Sequence, residues 1–201
     1  MRTSKGNALC SGALTFVVPL LLASFGAPVE AEPSRLFGVQ LSENYAAYDV
    51  DPTTVVEDGY GLDPFYNVDV VPPERNPGFE YYTLTFDSGT KKVEEVQAGH
   101  PFGDEQSCRE AADDLSKVLI PKFEKEPQKW DGVNGQYRQY EYNYIHDTWA
   151  GSVRCITFSG TDTWLYISIG TNRLWEARIK NLDKFLIRGN PTILKGNQAV
   201  S

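Results

Sequence analysis

Two histidines and two cysteines are the side chains best suited to nucleophilic or acid–base catalysis in this sequence. They are His100, His146, Cys108 and Cys155, since the one further cysteine lies near the N-terminus. An imidazole can act as a general base and a thiolate as a nucleophile. His146 is followed directly by Asp147, but adjacent residues cannot by themselves form the hydrogen bond that orients a catalytic imidazole. No Gly-x-Ser-x-Gly motif occurs. We therefore interpret both histidines as solvated loop residues and keep a small secreted hydrolase as one alternative.

Neighbouring carboxylates are frequent, but their spacing does not predict a catalytic pair. Glu94 and Glu95 are adjacent in a predicted strand, so they point to opposite faces of a sheet. Asp113 and Asp114 lie on the polar side of a predicted helix. A glycosidase needs two carboxyl groups roughly 5–9 Å apart across a cleft. The sequence thus favours a protein without enzymatic activity and leaves the question open.

Oxygen ligands for a metal ion are concentrated in one acidic run. Such ligands suit calcium, but their spacing differs from that of an EF-hand loop. Two histidines and two paired cysteines cannot form a conventional zinc site, and no glycine-rich phosphate loop is present. The sequence therefore predicts no cofactor and no metal, and leaves open calcium binding by the acidic run Asp49, Asp51, Glu57 and Asp58.

Residues 1–31 have the parts of a secretory signal peptide. Arg2 and Lys5 precede an apolar run over residues 13–25, and small side chains follow it. The run is shorter than the roughly 20 residues that a membrane-spanning helix needs. We predict cleavage near Ala31 and a periplasmic or secreted protein without integral membrane contact.

An even number of cysteines remains after that cleavage, because Cys10 leaves with the signal. In an oxidising compartment this predicts a disulfide between Cys108 and Cys155. A bridge that closes a loop of this length would stabilise the fold by about 4 kcal/mol at most. Two buried free thiols are the alternative.

The remaining chain is strongly acidic. Its net charge is −9, because the signal holds two basic residues and one acidic residue of a chain whose total is −8. Negative charge opposes binding to a nucleic acid or to an anionic membrane surface. Residues 32–120 carry most of the acidic side chains. That half could meet a basic partner, although a solvated surface is the more frequent role of such a region.

Hydrophobic periodicity predicts an α+β fold in the order ββαβββα. Period-two alternation indicates five antiparallel strands, and a stripe at steps of three and four residues indicates one long helix packed on their face, with a second C-terminal helix. The strands are predicted at 79–86, 91–98, 136–145, 152–158 and 164–169, and the helices near 105–120 and 174–186. A polar loop through Trp130 and Gly132 is predicted before the third of these strands, and a short strand at 65–71 in the loop-rich segment before the first. The predicted organisation is a signal at 1–31, an acidic Pro/Gly/Tyr-rich arm that wraps the core at 32–78, an α+β core domain at 79–188 and a tail at 189–201.

Two sets of side chains are candidates for binding. In an antiparallel meander, the link 146–151 and the segment after Ile169 meet at one end of the sheet, where an exposed tryptophan among charged residues is typical of an interface. This predicted cluster consists of His146, Asp147, Trp149, Asn172, Arg173 and Trp175; a weaker cluster at the opposite end consists of Trp130, Asp162 and Trp164. The alternating tyrosines 140, 142 and 144 could stack sugar rings, but we interpret them as the core face of the sheet.

These observations favour an exported, non-enzymatic protein-binding module, such as an inhibitor, an immunity-type protein or an envelope interaction protein. Its partner would be another protein bound through the loops at the sheet end. A small-molecule or glycan-binding protein is the second hypothesis. The two differ in whether a protein partner or a ligand alone stabilises the fold.

Overall fold

The computed structural model describes residues 34–58, 63–134, 137–158 and 162–189, with the backbone alone for residues 134 and 181–189. The predicted signal segment and the predicted tail beyond Gly189 lie outside these ranges. The described residues form eleven strands and two α-helices, together with two short 3-10 helices. No helix within the described ranges has the length and apolar character needed to cross a bilayer.

Nine of the strands form one antiparallel sheet. In the order β3-β5-β6-β7-β11-β10-β9-β8 each strand pairs with the next, and β4 pairs with β5; β1 and β2 form a separate hairpin. The strands are β1 Arg35–Leu36, β2 Val39–Gln40, β3 Asp49–Val50, β4 Val56–Glu57, β5 Phe65–Val71, β6 Tyr81–Asp87, β7 Val93–Phe102, β8 Gln128–Asn134, β9 Tyr137–Ile145, β10 Trp149–Phe158 and β11 Thr163–Thr171. The predicted α+β class and antiparallel sheet are confirmed, but the predicted number of about five strands is too small.

Helix α1, Glu105–Phe123, covers one side of this sheet, which we call the closed face. Asp104 caps the helix by accepting a hydrogen bond from the backbone N–H of Ser107 at 2.8 Å. The helix buries a stripe of Cys108, Ala112, Leu115, Leu119 and Phe123 against the strands. It continues through Pro121, three residues past the predicted end near Ile120, to a left-handed C-cap at Glu124.

The predicted disulfide is confirmed, and it joins α1 to the sheet. Cys108 and Cys155 are bonded, with their Cα atoms 5.8 Å apart, and both are buried. Cys155 lies opposite Tyr140 of β9 and Leu165 of β11, so the bond holds the helix over the three-strand meander. A disulfide is compatible with an oxidising compartment.

The opposite side of the sheet, the open face, is covered at one end by helix α2, Asn172–Gly189. This helix begins at the residue after β11, without a loop. Leu174 and Ala177 pack on Phe65 in a small cluster that is separate from the main core. Arg178, from the next turn, reaches over the sheet to strand β7. Within the described ranges no other α-helix lies on this face.

One region differs from its prediction. Residues 128–134 are predicted as part of a polar loop, but they form the edge strand β8, where a strand needs only one hydrogen-bonded neighbour and tolerates polar residues. The short strand predicted at 65–71 within the arm is present as β5, which pairs with β6 in the main sheet. Side chains of the arm, among them Leu36, Val39, Val68 and Val70, belong to the main core.

Candidate functional site

Trp149, the central residue of the predicted interface, is buried. Trp149 is only 4% exposed, because it lies on the same face of β10 as Val153 and Cys155, and that face is the closed one. Its ring packs on Phe123 at 5.1 Å and stacks on His146 at 4.0 Å. The prediction of an exposed tryptophan at this end of the sheet is therefore wrong.

The remaining members of that cluster divide between two places. Asn172 donates a hydrogen bond to the carbonyl of His146 at 2.8 Å, while Asp147 is exposed in the turn. Arg173 instead contacts the buried carboxylates of Asp87 and Glu94. Trp175 lies over Gly170, with its Nε1 3.1 Å from where a Cβ atom of that glycine would stand. The structure thus joins His146, Trp149 and Asn172, and it separates Arg173 and Trp175 from them.

The histidines do not form a catalytic arrangement. Burial, together with the charge of Lys125, lowers the pKa of His146, so its imidazole is a neutral ring stacked on Trp149. His100 packs edge-on against Phe102 at 5.2 Å, and its Nδ1 lies 3.7 Å from a carboxylate oxygen of Glu80. The prediction of a solvated loop residue is wrong for His100, which lies within strand β7 and is half-buried, while His146 lies in the link after β9 and is half-buried against Trp149.

The acidic run considered for calcium is divided as well. Asp51 accepts hydrogen bonds from the backbone and the hydroxyl of Thr53, and Asp58 is buried in an ion pair with Arg178. Asp49 and Glu57 lie exposed on β3 and β4. Among the described residues, no group of three or more side chains is arranged to hold a metal ion.

The tyrosines of β9 are the core face of the sheet, as predicted. Tyr144 is fully buried and donates to the carbonyl of Ser116 at 2.9 Å. Tyr142 donates to the carboxylate of Asp113 at 2.6 Å, and the hydroxyl of Tyr140 contacts the same carboxylate. Tyr140 and Tyr144 are buried under α1 and Tyr142 is partly buried beside them, so this face of β9 offers little exposed ring surface for stacking sugars.

A polar cavity of about 230 Å³ lies instead on the open face, and we call it the central cavity. It crosses five neighbouring strands, β5, β6, β7, β11 and β10, and is bounded by the side chain of Arg178 from α2. Its polar lining includes Asp58, Thr85, Glu95, Gln97, Arg154 and Arg178. Strand alternation brings these groups together, because residues 95 and 97 of β7 point away from the closed face.

The floor of the central cavity is a buried ion cluster. A guanidinium nitrogen of Arg178 lies 3.0 Å from Asp58 and 2.9 Å from Glu95, and the three side chains are 9%, 2% and 3% exposed. Burial alone would raise the pKa of Glu95, but the charge and hydrogen bonds of Arg178, with help from Arg154 and Thr85, hold it below its usual value. The carboxylate is therefore ionised at neutral pH.

Two buried polar atoms in this lining lack a hydrogen-bond partner among the described residues. They are Oε1 of Glu95 and Nε of Arg154. Nη2 of Arg154 donates to Gln97 at 2.8 Å, whereas its Nε forms an ion pair with Glu141 at 3.9 Å, which is beyond hydrogen-bond distance. An unsatisfied buried acceptor and an unsatisfied buried donor, each costing about 1–3 kcal/mol, thus occur in one cavity.

Aromatic rings stand next to these polar groups. Tyr81 and Tyr166 both line the central cavity and flank Gly99, whose added Cβ atom would lie 2.9 Å from Cδ1 of Tyr81 and 3.0 Å from Cε1 of Tyr166. Trp164 stacks on Tyr166, with ring centres 6.0 Å apart and planes inclined by 16°. Glycine at position 99 is what lets the two tyrosine rings approach the sheet so closely.

A second cavity of about 250 Å³, the edge cavity, lies beyond Tyr81 at the end of β5 and β6. Asp69, Arg75 and Glu80 supply its charged lining, and Val71 and Pro72 its apolar lining. Tyr81 lines both cavities. The two cavities are therefore adjacent and share Tyr81 as a lining residue.

The residues of the second predicted cluster, Trp130, Asp162 and Trp164, do not form one site. Trp130 and Trp164 both lie on the open face, but on β8 and β11, which β9 and β10 separate. Three strand spacings correspond to roughly 14 Å. The backbone carbonyl of Asp162 accepts a hydrogen bond from the N–H of Phe158, closing the β10–β11 turn.

The central cavity was missed by sequence reasoning because its ion cluster joins distant residues. Glu95 and Arg178 are 83 positions apart, and Asp58 and Arg178 are 120 apart. A local signal was nonetheless present: Glu95, Gln97 and Gly99 alternate with the apolar Val96 and Ala98. Such alternation indicates a strand whose second face is polar.

The fold and the cavity define an α+β protein with a polar and aromatic cavity on the accessible face of an antiparallel sheet. Comparison with protein-family models, with curated proteins and with solved structures finds no match to this chain.

Proposed function

We propose that this protein binds a small polar organic molecule in the central cavity. The observation that carries the proposal is the buried Glu95 carboxylate, which has one oxygen without a hydrogen-bond donor among the described residues, in a cavity that also holds an unpartnered Nε of Arg154. Ligand cavities are concave and combine aromatic walls with a few polar groups that fix orientation. A bound molecule that satisfies both atoms would recover their desolvation cost.

Binding is a better account of this cavity than acid–base catalysis. The pKa of Glu95 is depressed, which makes the carboxylate a weak base and keeps it without a proton to donate. Arg178 and Asp58 are already committed to the ion cluster. Glu95 and Arg154 then act as an acceptor and a donor that orient the ligand.

A ligand screen by thermal unfolding tests this function. Sugars, polyols, amino acids and amines at millimolar concentration should include compounds that raise the melting temperature, since a ligand stabilises the folded state by RT ln(1 + [L]/Kd). Glu95→Gln should abolish the shift. Glu74→Gln, the same change at an exposed carboxylate, should preserve it. A screen without any stabilising compound, or a shift that Glu95→Gln leaves intact, would contradict the proposal.

A protein partner is the second candidate function, supported by apolar side chains on the same face. Trp130, Ile145 and Phe158 are 37%, 47% and 42% exposed around the open face. Exposed aromatic side chains of this kind are typical of interfaces. Affinity capture from the host with the oxidised protein should recover one stoichiometric protein, and Phe158→Ser should release it.

We also propose that the N-terminal segment directs export of the protein and is then cleaved off. N-terminal sequencing of the protein isolated from its host tests this proposal.

A further inference from the structure

Resting on the proposed function, we infer that the ligand is a linear saccharide of at least two sugar units, with one unit in the central cavity and the next in the edge cavity. The juxtaposition that leads to this inference is that of the two cavities, which share Tyr81 as a lining residue.

The polar groups of the central cavity select the chemistry of the ligand. Oε1 of Glu95 needs a hydrogen-bond donor, and Nε of Arg154 needs an acceptor. A hydroxyl group does both, and two hydroxyls on neighbouring carbons can serve the two atoms together. A phosphate without protons only accepts, and an ammonium group only donates, so each leaves one of the two atoms unsatisfied.

The charges of the two cavities point to an uncharged ligand. The lining of the central cavity holds both signs of charge, with Arg154 and Arg178 beside Asp58 and Glu95, so it favours neither an anion nor a cation. The edge cavity also holds both signs, with Arg75 beside Asp69 and Glu80. Mixed donors and acceptors along the whole length suit a molecule that carries hydroxyls throughout.

The aromatic side chains supply the apolar part of the recognition. A pyranose ring presents C–H bonds on its faces, and the negative face of an aromatic ring attracts their positive hydrogen atoms. Trp164 stacks on the ring of Tyr166, and Tyr81 and Tyr166 flank Gly99. One sugar unit would pack against these rings while its hydroxyls reach Glu95 and Arg154, and the next unit would continue past Tyr81.

A chain-length series measured by calorimetry tests this inference. The probes are glucose and N-acetylglucosamine with their linear di-, tri- and tetrasaccharides, titrated into the oxidised protein. We expect at least tenfold tighter binding from the monosaccharide to the di- or trisaccharide, followed by a plateau. Equal affinity for all lengths would overturn the two-cavity assignment.

Variants on either side of Tyr81 separate the two cavities. Tyr81→Ala should weaken the trisaccharide at least tenfold, and Arg75→Ala should weaken it while leaving the monosaccharide unchanged. Arg35→Ala, an exposed arginine outside both linings, is the matched control and should change neither. If Tyr81→Ala unfolds the protein, Arg75→Ala alone still decides, because loss of both ligands or of neither contradicts the inference.

The screen described above distinguishes failure of this inference from failure of the proposed function. A Glu95-dependent thermal shift with an amino acid or an amine, and none with any saccharide, would keep the binding function and overturn the saccharide. No shift with any compound would overturn both.

Discussion

Replacing Arg178 by methionine should destabilise the fold more than any other exchange of one polar side chain at the central cavity. The change keeps much of the side-chain length but leaves Asp58 and Glu95 buried without their cation. Removing one partner of a buried ion pair costs about 3–5 kcal/mol. Against a total stability of roughly 5–15 kcal/mol this is a large fraction, and for a domain of this size it corresponds to a fall in melting temperature on the order of 10 °C.

The pH dependence identifies the cause of that loss. In the native protein the pKa of Glu95 is depressed, so its contribution is fully present above the unfolded value of about 4.3 and is lost as pH falls through the folded pKa. Without Arg178, burial dominates and raises the pKa of Glu95 above its unfolded value. The folded variant then binds more protons than its unfolded state, so its stability should rise as pH falls from 7 to 5.

The assay is urea unfolding followed by tryptophan fluorescence at pH 7 and pH 5. Arg35→Met is the matched control: its partner Glu74 is exposed, and such surface pairs contribute about 0–1 kcal/mol. The triple variant with Glu95→Gln and Asp58→Asn should recover part of the loss at pH 7. The reasoning is refuted if Arg178→Met loses less than about 1 kcal/mol, or if its stability follows pH as the native protein does.

Three further predictions concern the closed face. Trp149→Ala should cost about 3–5 kcal/mol because it empties a buried aromatic site; a loss below 1 kcal/mol in urea unfolding would mean that the ring is accessible after all. Cys108→Ala with Cys155→Ala should lower stability by up to about 4 kcal/mol, and adding a reductant to the native protein should give a similar loss, whereas equal urea midpoints would argue against a structural disulfide. Burial would raise the pKa of Asp113, but the hydroxyls of β9 hold it below its usual value, so Asp113→Asn should cost about 1–2 kcal/mol at pH 7 and less below pH 4; a pH-independent difference would exclude the ionised carboxylate as the cause.

Local periodicity was sufficient for the elements that form from neighbouring residues. The hairpin of β6 and β7, helix α1 and the meander of β9, β10 and β11 all appear where alternation or a helical stripe predicts them. The disulfide followed from counting cysteines. Predicting these features requires only the hydrophobic periodicity of the sequence and the number of its cysteines.

The edge strand and the site needed information that periodicity does not hold. The sequence of β8, with Lys129, Asp131 and Gly132, has no strand pattern. The segment is stabilised instead by pairing with β9 and by contacts with α1, such as that of Asp131 with Arg109. Strand alternation alone places Trp149 on the same face of β10 as Gly151 and Val153, because they are two and four residues away. Which face a helix covers, however, depends on packing between distant segments.

The last strand of the described part of the chain lies in the middle of the sheet. β11 pairs with β7 on one side and with β10 on the other, so the half-sheet of β3 to β7 and the half-sheet of β8 to β10 are joined only when β11 enters between them. Contacts between such distant segments form slowly, because a long loop must close before they stabilise anything. A chain that stopped before Thr163 would therefore carry two unpaired strand edges, and its fate would be aggregation with other copies rather than a smaller working domain.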